Sequence, residues 1–175
     1  YDYVKKAVKR THDWARTCID IHQNLSLPRF YQKNQALFGI VQGSKFEDLR
    51  SESAKYINSL GFDGYGIGGD LGETKKDMAK ILSWIIPELD AEKPRHMLGI
   101  GRLDDMENIV KSGIDLFDCT VPTHYGRRGI AFVNSGRLDL NKSIFLKDKK
   151  PLDSKCGCSV CQNYKRNYIA HLVKA

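Results

Sequence analysis

The sequence predicts an α/β protein built on a parallel sheet. Short apolar runs, each four or five residues long, alternate with segments of helical spacing, and most of the runs stop at glycine or a polar residue. That grammar is the signature of strands buried on both faces and joined by helical crossovers. The residues with chemistry to offer fall just after these runs, at the carboxyl ends of the strands, where α/β enzymes assemble their sites.

The elements follow in order. Residues 3–21 read as a helix, with Val4, Ala7, Val8, Thr11, Ala15 and Cys18 at three- and four-residue steps. A connector containing Pro28 is expected over residues 25–34. The run 37–41 ends in Gln42-Gly43, and helical spacing resumes over 46–60. A second strand, 64–67, ends in Gly68-Gly69. Thr74 is placed to cap a helix whose inner stripe is Met78, Ile81, Leu82, Ile85 and Ile86, stopped by Pro87. A third strand is expected over 96–100, a helix over 104–111, and a fourth strand over 114–117, ending at Asp118. Four strands fall short of the eight that close a barrel, and spacing alone does not choose between a barrel and an open sheet.

After Ile130 the pattern changes. Residues 130–133 and 137–140, separated by Asn134-Ser135-Gly136, read as a β-hairpin. A basic stretch follows, then a Pro151-Leu152-Asp153 turn, then a cysteine cluster expected to open a helix running to the end. The expected division is a strand–helix domain over 1–129 and a basic, cysteine-bearing subdomain over 130–175.

Charge is segregated. Net charge is +7, yet residues 122–175 hold 11 Lys and Arg against 3 Asp and Glu, whereas the first 121 residues hold 17 against 18. A basic portion beside a neutral one suits a nucleic-acid-facing surface, and a solvated lysine-rich face would look the same. No apolar stretch approaches the roughly 20 residues that span a bilayer, so no membrane partner is expected. Five cysteines without a secretory signal argue for a reducing compartment and a cytoplasmic protein. The first residue, Tyr1, leads us to expect a processed chain or a piece of a longer one.

The segment FDCTVPTHYGRRG (117–129) is the richest. Asp118 stands at a strand end, followed by a proline turn and the cations His124, Arg127 and Arg128. A carboxylate beside cations suits nucleophilic chemistry on a polyanion, and a turn-capping acid beside a solvated loop has the same pattern. Cys156, Cys158 and Cys161 offer three thiolates within six residues, a set that suits zinc, which needs a fourth donor, and unligated thiols would read the same. His171 lies ten residues beyond Cys161, about 15 Å along a continuous helix, too far to supply it unless the helix breaks. Gln42 offers both a donor and an acceptor to a purine-like edge. Gly68-Gly69 lets a planar ligand approach backbone amides, or simply makes a tight turn. The glycine run 64–69 is no dinucleotide fingerprint, because its helix starts several residues late and lacks a downstream acid.

FGIVQG (38–43), GFDGYGIGG (61–69), KPRHMLGIG (93–101), GIDLFDCTVPT (113–123) and KPLDSKCGCSVCQNY (150–164) occur in order. Together they resemble the tRNA-guanine transglycosylases, the queuine/archaeosine tRNA-ribosyltransferases, over the later part of their catalytic domain. The resemblance implies the C-terminal half of a (β/α)₈ TIM barrel, its last four β/α units, with an inserted β-hairpin and zinc-binding subdomain. It implies that Asp118 is the nucleophile at C1′ of a guanosine in tRNA, displaced later by a 7-deazaguanine base. Gln42 and Gly69 are implied in base recognition, and His124, Arg127 and Arg128 in tRNA binding. Cys156, Cys158 and Cys161 are implied as ligands of a structural Zn²⁺ whose histidine lies beyond Ala175. A homodimer is implied for the full-length enzyme.

Two departures stand out. His124 occupies the place of a usual arginine, and a shortened segment puts Asp70 beside the base pocket, either facing an aminomethyl group or closing a turn. A partner aspartate has no counterpart here, so the chain alone is expected to be inactive. A related DNA transglycosylase and a non-catalytic tRNA-binding homologue are the competing readings.

Overall fold

The computed structural model describes residues 1–24 and 35–175. The expected connector over 25–34 lies outside them. The chain divides into two compact units, Tyr1–Cys119 and Thr120–Ala175. This division falls ten residues before the boundary expected from sequence, because a helix beginning at Val121 packs on the hairpin that follows it.

In the first unit α1 (Asp2–Asn24) precedes an alternation of strands and helices. These are β1 (Phe38–Val41), α2 (Glu47–Ser59), β2 (Gly64–Ile67), α3 (Lys75–Ile85), β3 (Arg95–Met97), α4 (Leu103–Lys111) and β4 (Leu116–Phe117). The four strands form one parallel sheet in sequence order. Its register aligns Val41 with Ile67, Ile67 with Met97 and Met97 with Phe117. The residues that follow each strand, Gln42, Gly68, Leu98 and Asp118, therefore share one carboxyl edge.

Val41, Ile67 and Met97 are fully buried in this row. Helices add Ala54, Ile57, Ile81, Leu82, Ile85 and Ile109, and connecting segments add Phe62, Leu71, Leu89 and Ile114. Close packing of α2 needs a bare backbone at Gly39, where a Cβ would meet Ile57 and Phe62 at 2.5 Å. Helix α3 starts as expected: Thr74 Oγ1 accepts from Asp77 N (3.2 Å), and Asp77 Oδ2 accepts from Thr74 N (3.0 Å). This reciprocal capping satisfies two otherwise orphaned donors. Beyond α3, Pro87 sits in a 3₁₀ turn, Ile86–Glu88, where its missing N–H costs nothing.

Two strands are shorter than the sequence suggested. β3 ends at Met97, not Ile100, because the chain turns at Leu98-Gly99, with Gly99 at φ +73°. β4 spans only Leu116–Phe117 of the expected 114–117, since Ile114 is a buried core residue before the pairing begins.

The second unit begins with α5 (Val121–Arg127), then the hairpin β5 (Ile130–Val133) and β6 (Gly136–Asp139). The residues expected as a proline turn and basic loop thus form a helix, with Pro122 in its first turn, where proline is tolerated. A 3₁₀ turn, Ser143–Lys147, leads to α6 (Ser159–Asn163) and α7 (Arg166–Lys174). The single helix expected after the cysteines is therefore two. Tyr164 and Lys165 are extended, which lets Arg166 N donate to Lys150 O (2.8 Å) and Asn167 N to Asp148 O (2.9 Å). Arg166 then braces the segment before the cysteines through Asp148 Oδ2 (3.0 Å), Pro151 O (2.9 Å) and Leu152 O (2.9 Å).

Candidate active site and metal centre

Parallel strands of equal register put their loops side by side, and a buried arginine ties the first two together. Arg50, on α2, is fully buried and has no carboxylate partner among the described residues. It donates instead to four carbonyls: Nε to Ser44 O (2.7 Å), Nη1 to Val41 O (3.2 Å), and Nη2 to Gly68 O (3.0 Å) and Asp70 O (2.9 Å). Burial pulls its pKa down to about 10, partly offset by the Asp70 charge, so it stays cationic at neutral pH. The loop from β1 to α2 approaches it closely, since a Cβ on Gly43 would lie 2.7 Å from Arg50 N.

This clamp brings Gln42 and Gly69 together. Gly69 has φ +79°, and a Cβ there would sit 3.1 Å from Gln42 Oε1. A side chain at 69 would be strained and would crowd the Gln42 amide. The Gln42 backbone is fixed from below: its N–H donates to Ser53 Oγ (3.0 Å), which also meets His12 Nε2 (3.1 Å). His12 stacks on Tyr56, with ring centroids 4.2 Å apart. Asp70 ties its own loop to the neighbouring one, with Oδ2 accepting from Ser44 Oγ and Oδ1 from Gly72 N, both at 3.0 Å. The Gly72 amide and then the Ser44 hydroxyl hold its carboxyl below the usual range. These contacts hold Asp70 in its turn, with the side chain still exposed.

Asp118 stands at the far end of the same edge, three strand spacings from Gln42, about 14 Å along the sheet. Its side chain is 61% exposed. Oδ1 accepts from Gly99 N (2.9 Å) and lies 3.1 Å from His96 Nε2. Next to it, Cys119 Sγ donates to Gly101 O (3.2 Å). Sequence reading named Asp118, Gln42 and Gly69 but not His96, Arg50 or Ser53. His96 is found only through strand register. It pairs with Leu116, and the two-residue period of a strand puts Asp118 on that same face.

In the second unit His124, Arg127 and Arg128 are exposed, spaced i, i+3, i+4 at the end of α5. None makes an ion pair among the described residues. Cys156, Cys158 and Cys161 gather with their sulfurs within 4.8 Å of one another, Cys161 buried. Thiolates about 2.3 Å from a tetrahedral metal lie about 3.8 Å apart, so the three fit such a centre. The break between α6 and α7 removes the premise of a continuous helix, yet His171 does not join this cluster.

A family model described as queuine tRNA-ribosyltransferase matches residues 1–175. The chain belongs to the queuine tRNA-ribosyltransferase family. Among its relatives, a protein of Archaeoglobus fulgidus named putative queuine tRNA-ribosyltransferase is 44% identical, over 99% of this chain and 43% of its own length. The queuine tRNA-ribosyltransferase of Bacillus velezensis is 42% identical, over 99% of this chain and 44% of its own. That of Latilactobacillus sakei is 45% identical, over 100% and 44%. The chain therefore spans less than half the length of the curated relatives it matches. No helix among the described residues is long and apolar enough to cross a membrane.

Proposed function

We propose that this chain carries the nucleophile and part of the base site of a tRNA-guanine transglycosylase. The observation that carries the proposal is the shared carboxyl edge, with Gln42 and Gly69 at one end and the exposed carboxylate of Asp118 at the other. That edge is long enough for a base and its ribose side by side. Gln42 and the Gly69 backbone read the base, a guanine and then a 7-deazaguanine such as a queuine precursor.

Asp118 attacks C1′ of the ribose. The electron pair of the glycosidic bond leaves with guanine, which gains a proton from solvent. The incoming base loses a proton, attacks C1′ and releases the carboxylate. A carboxylate suits both steps, stabilising oxocarbenium character and then bonding to it. His124, Arg127 and Arg128 hold tRNA phosphates. Cys156, Cys158 and Cys161 hold a structural Zn²⁺, which cross-links the segment that Arg166 braces. The four β/α units are half of a TIM barrel, with the hairpin and cysteine segment inserted, in a cytoplasmic enzyme that works as a homodimer.

Trapping tests this reading. The full-length protein should form a covalent adduct with tRNA, and Asp118→Asn should lower base exchange by about 10⁴-fold or more. Unchanged exchange in D118N would favour a binding-only homologue, and an adduct with DNA in place of tRNA would favour a DNA transglycosylase.

A further inference from the structure

A carboxylate nucleophile has two oxygens, and Asp118 does not present them equally. Both of its polar contacts go to Oδ1: the Gly99 amide at 2.9 Å and His96 Nε2 at 3.1 Å. An ionised carboxylate only accepts hydrogen bonds, so Nε2 carries a proton in this contact. Oδ2 has no partner among the described residues, on a side chain that is 61% exposed. His96 is itself 28% exposed and fixed by its strand, paired with Gly66 on one side and Leu116 on the other.

We infer that His96 is a positioning residue for the nucleophile. With the Gly99 amide it pins Oδ1 and leaves Oδ2 as the oxygen that bonds C1′. The inference rests on the reading of Asp118 as nucleophile and goes beyond it by assigning the reacting atom and its support. In the step, an Oδ2 lone pair forms the bond to C1′ as the C1′–N9 pair departs with guanine. Oδ1 becomes the ester carbonyl and keeps both donors. The proton on Nε2 is not transferred. A carboxylate held by two donors cannot swing its loaded oxygen into the ribose, so attack geometry is set before substrate arrives.

Replacement in the full-length protein tests the role. Glutamine places an N–H donor near the position of Nε2, and leucine keeps bulk without a donor. His96→Leu should slow single-turnover adduct formation on tRNA by about 10- to 100-fold, with KM for tRNA unchanged. His96→Gln should recover the rate to within about threefold of wild type. Thermal unfolding of each variant separates misfolding from lost positioning. If H96L fails to fold, H96Q alone decides: near-wild-type rates support the role, and a loss beyond tenfold overturns it. A rate in H96L equal to wild type also overturns it. D118N run in parallel separates the two claims, because adduct formation without Asp118 sinks the nucleophile assignment whatever His96 does.

Discussion

Arg50 shows how one side chain can set a site it never enters. Five guanidinium N–H donors in a rigid fork suit several carbonyls at once, where a lysine ammonium offers three donors from one point. Arg50→Met would leave Val41, Ser44, Gly68 and Asp70 carbonyls unanswered. It should cost about 3 kcal/mol or more in denaturant unfolding, with Arg50→Lys intermediate. His12 makes a second residue-scale prediction. It is 9% exposed, and burial lowers its pKa against the nearby Glu52 and Asp13 carboxylates. The unfolded chain then binds the proton more readily, so this stability is present above the unfolded value of about 6.5 and declines as pH falls through it. The unfolding midpoint should drop between about pH 7.5 and 5.5, and His12→Gln should flatten that component.

Elements differ in how much of them the sequence reveals. β1, β2 and α3 match their expected spans closely, because each carries its own boundary: Gln42-Gly43, Gly68-Gly69, and the Thr74–Asp77 cap. The break between α6 and α7 carries none. Neither Tyr164 nor Lys165 is a helix breaker, and the chain opens there because the Arg166 and Asn167 amides bond to residues 150 and 148. Such a cause is non-local and invisible to periodicity. The His96–Asp118 contact escaped for the same reason, since it needs the register of β3 on β4. Helix α5 gives the element-scale prediction. Its exposed His124, Arg127 and Arg128 share one end. Arg127→Ala should weaken tRNA binding and reduce the slope of log affinity against log salt by about one.

At the scale of the molecule, the sheet of the first unit ends at β1 and β4, each with an unpaired outer edge among the described residues. Such edges invite association. The 175-residue chain alone should associate in ultracentrifugation and show no base exchange. The second unit has only Leu140, Cys161 and Ala170 as buried hydrophobic residues among those described. A core that small gains stability from a cross-link, the part proposed for Zn²⁺ on the three cysteines. Chelation should therefore abolish hydrogen-exchange protection in 120–175 while protection in α2 and α3 persists.

The partners of Arg50 are all main-chain carbonyls. Every residue type offers that oxygen, so no substitution in the two loops removes an acceptor by chemistry alone. Ser44 and Asp70 can change side chain, and with it the shape and charge of the loop surface, while the frame beneath stays tied. The clamp thus separates two kinds of change: side chains in the loops can be exchanged without unmaking the frame, whereas loss of the one arginine in the helix behind them unmakes it.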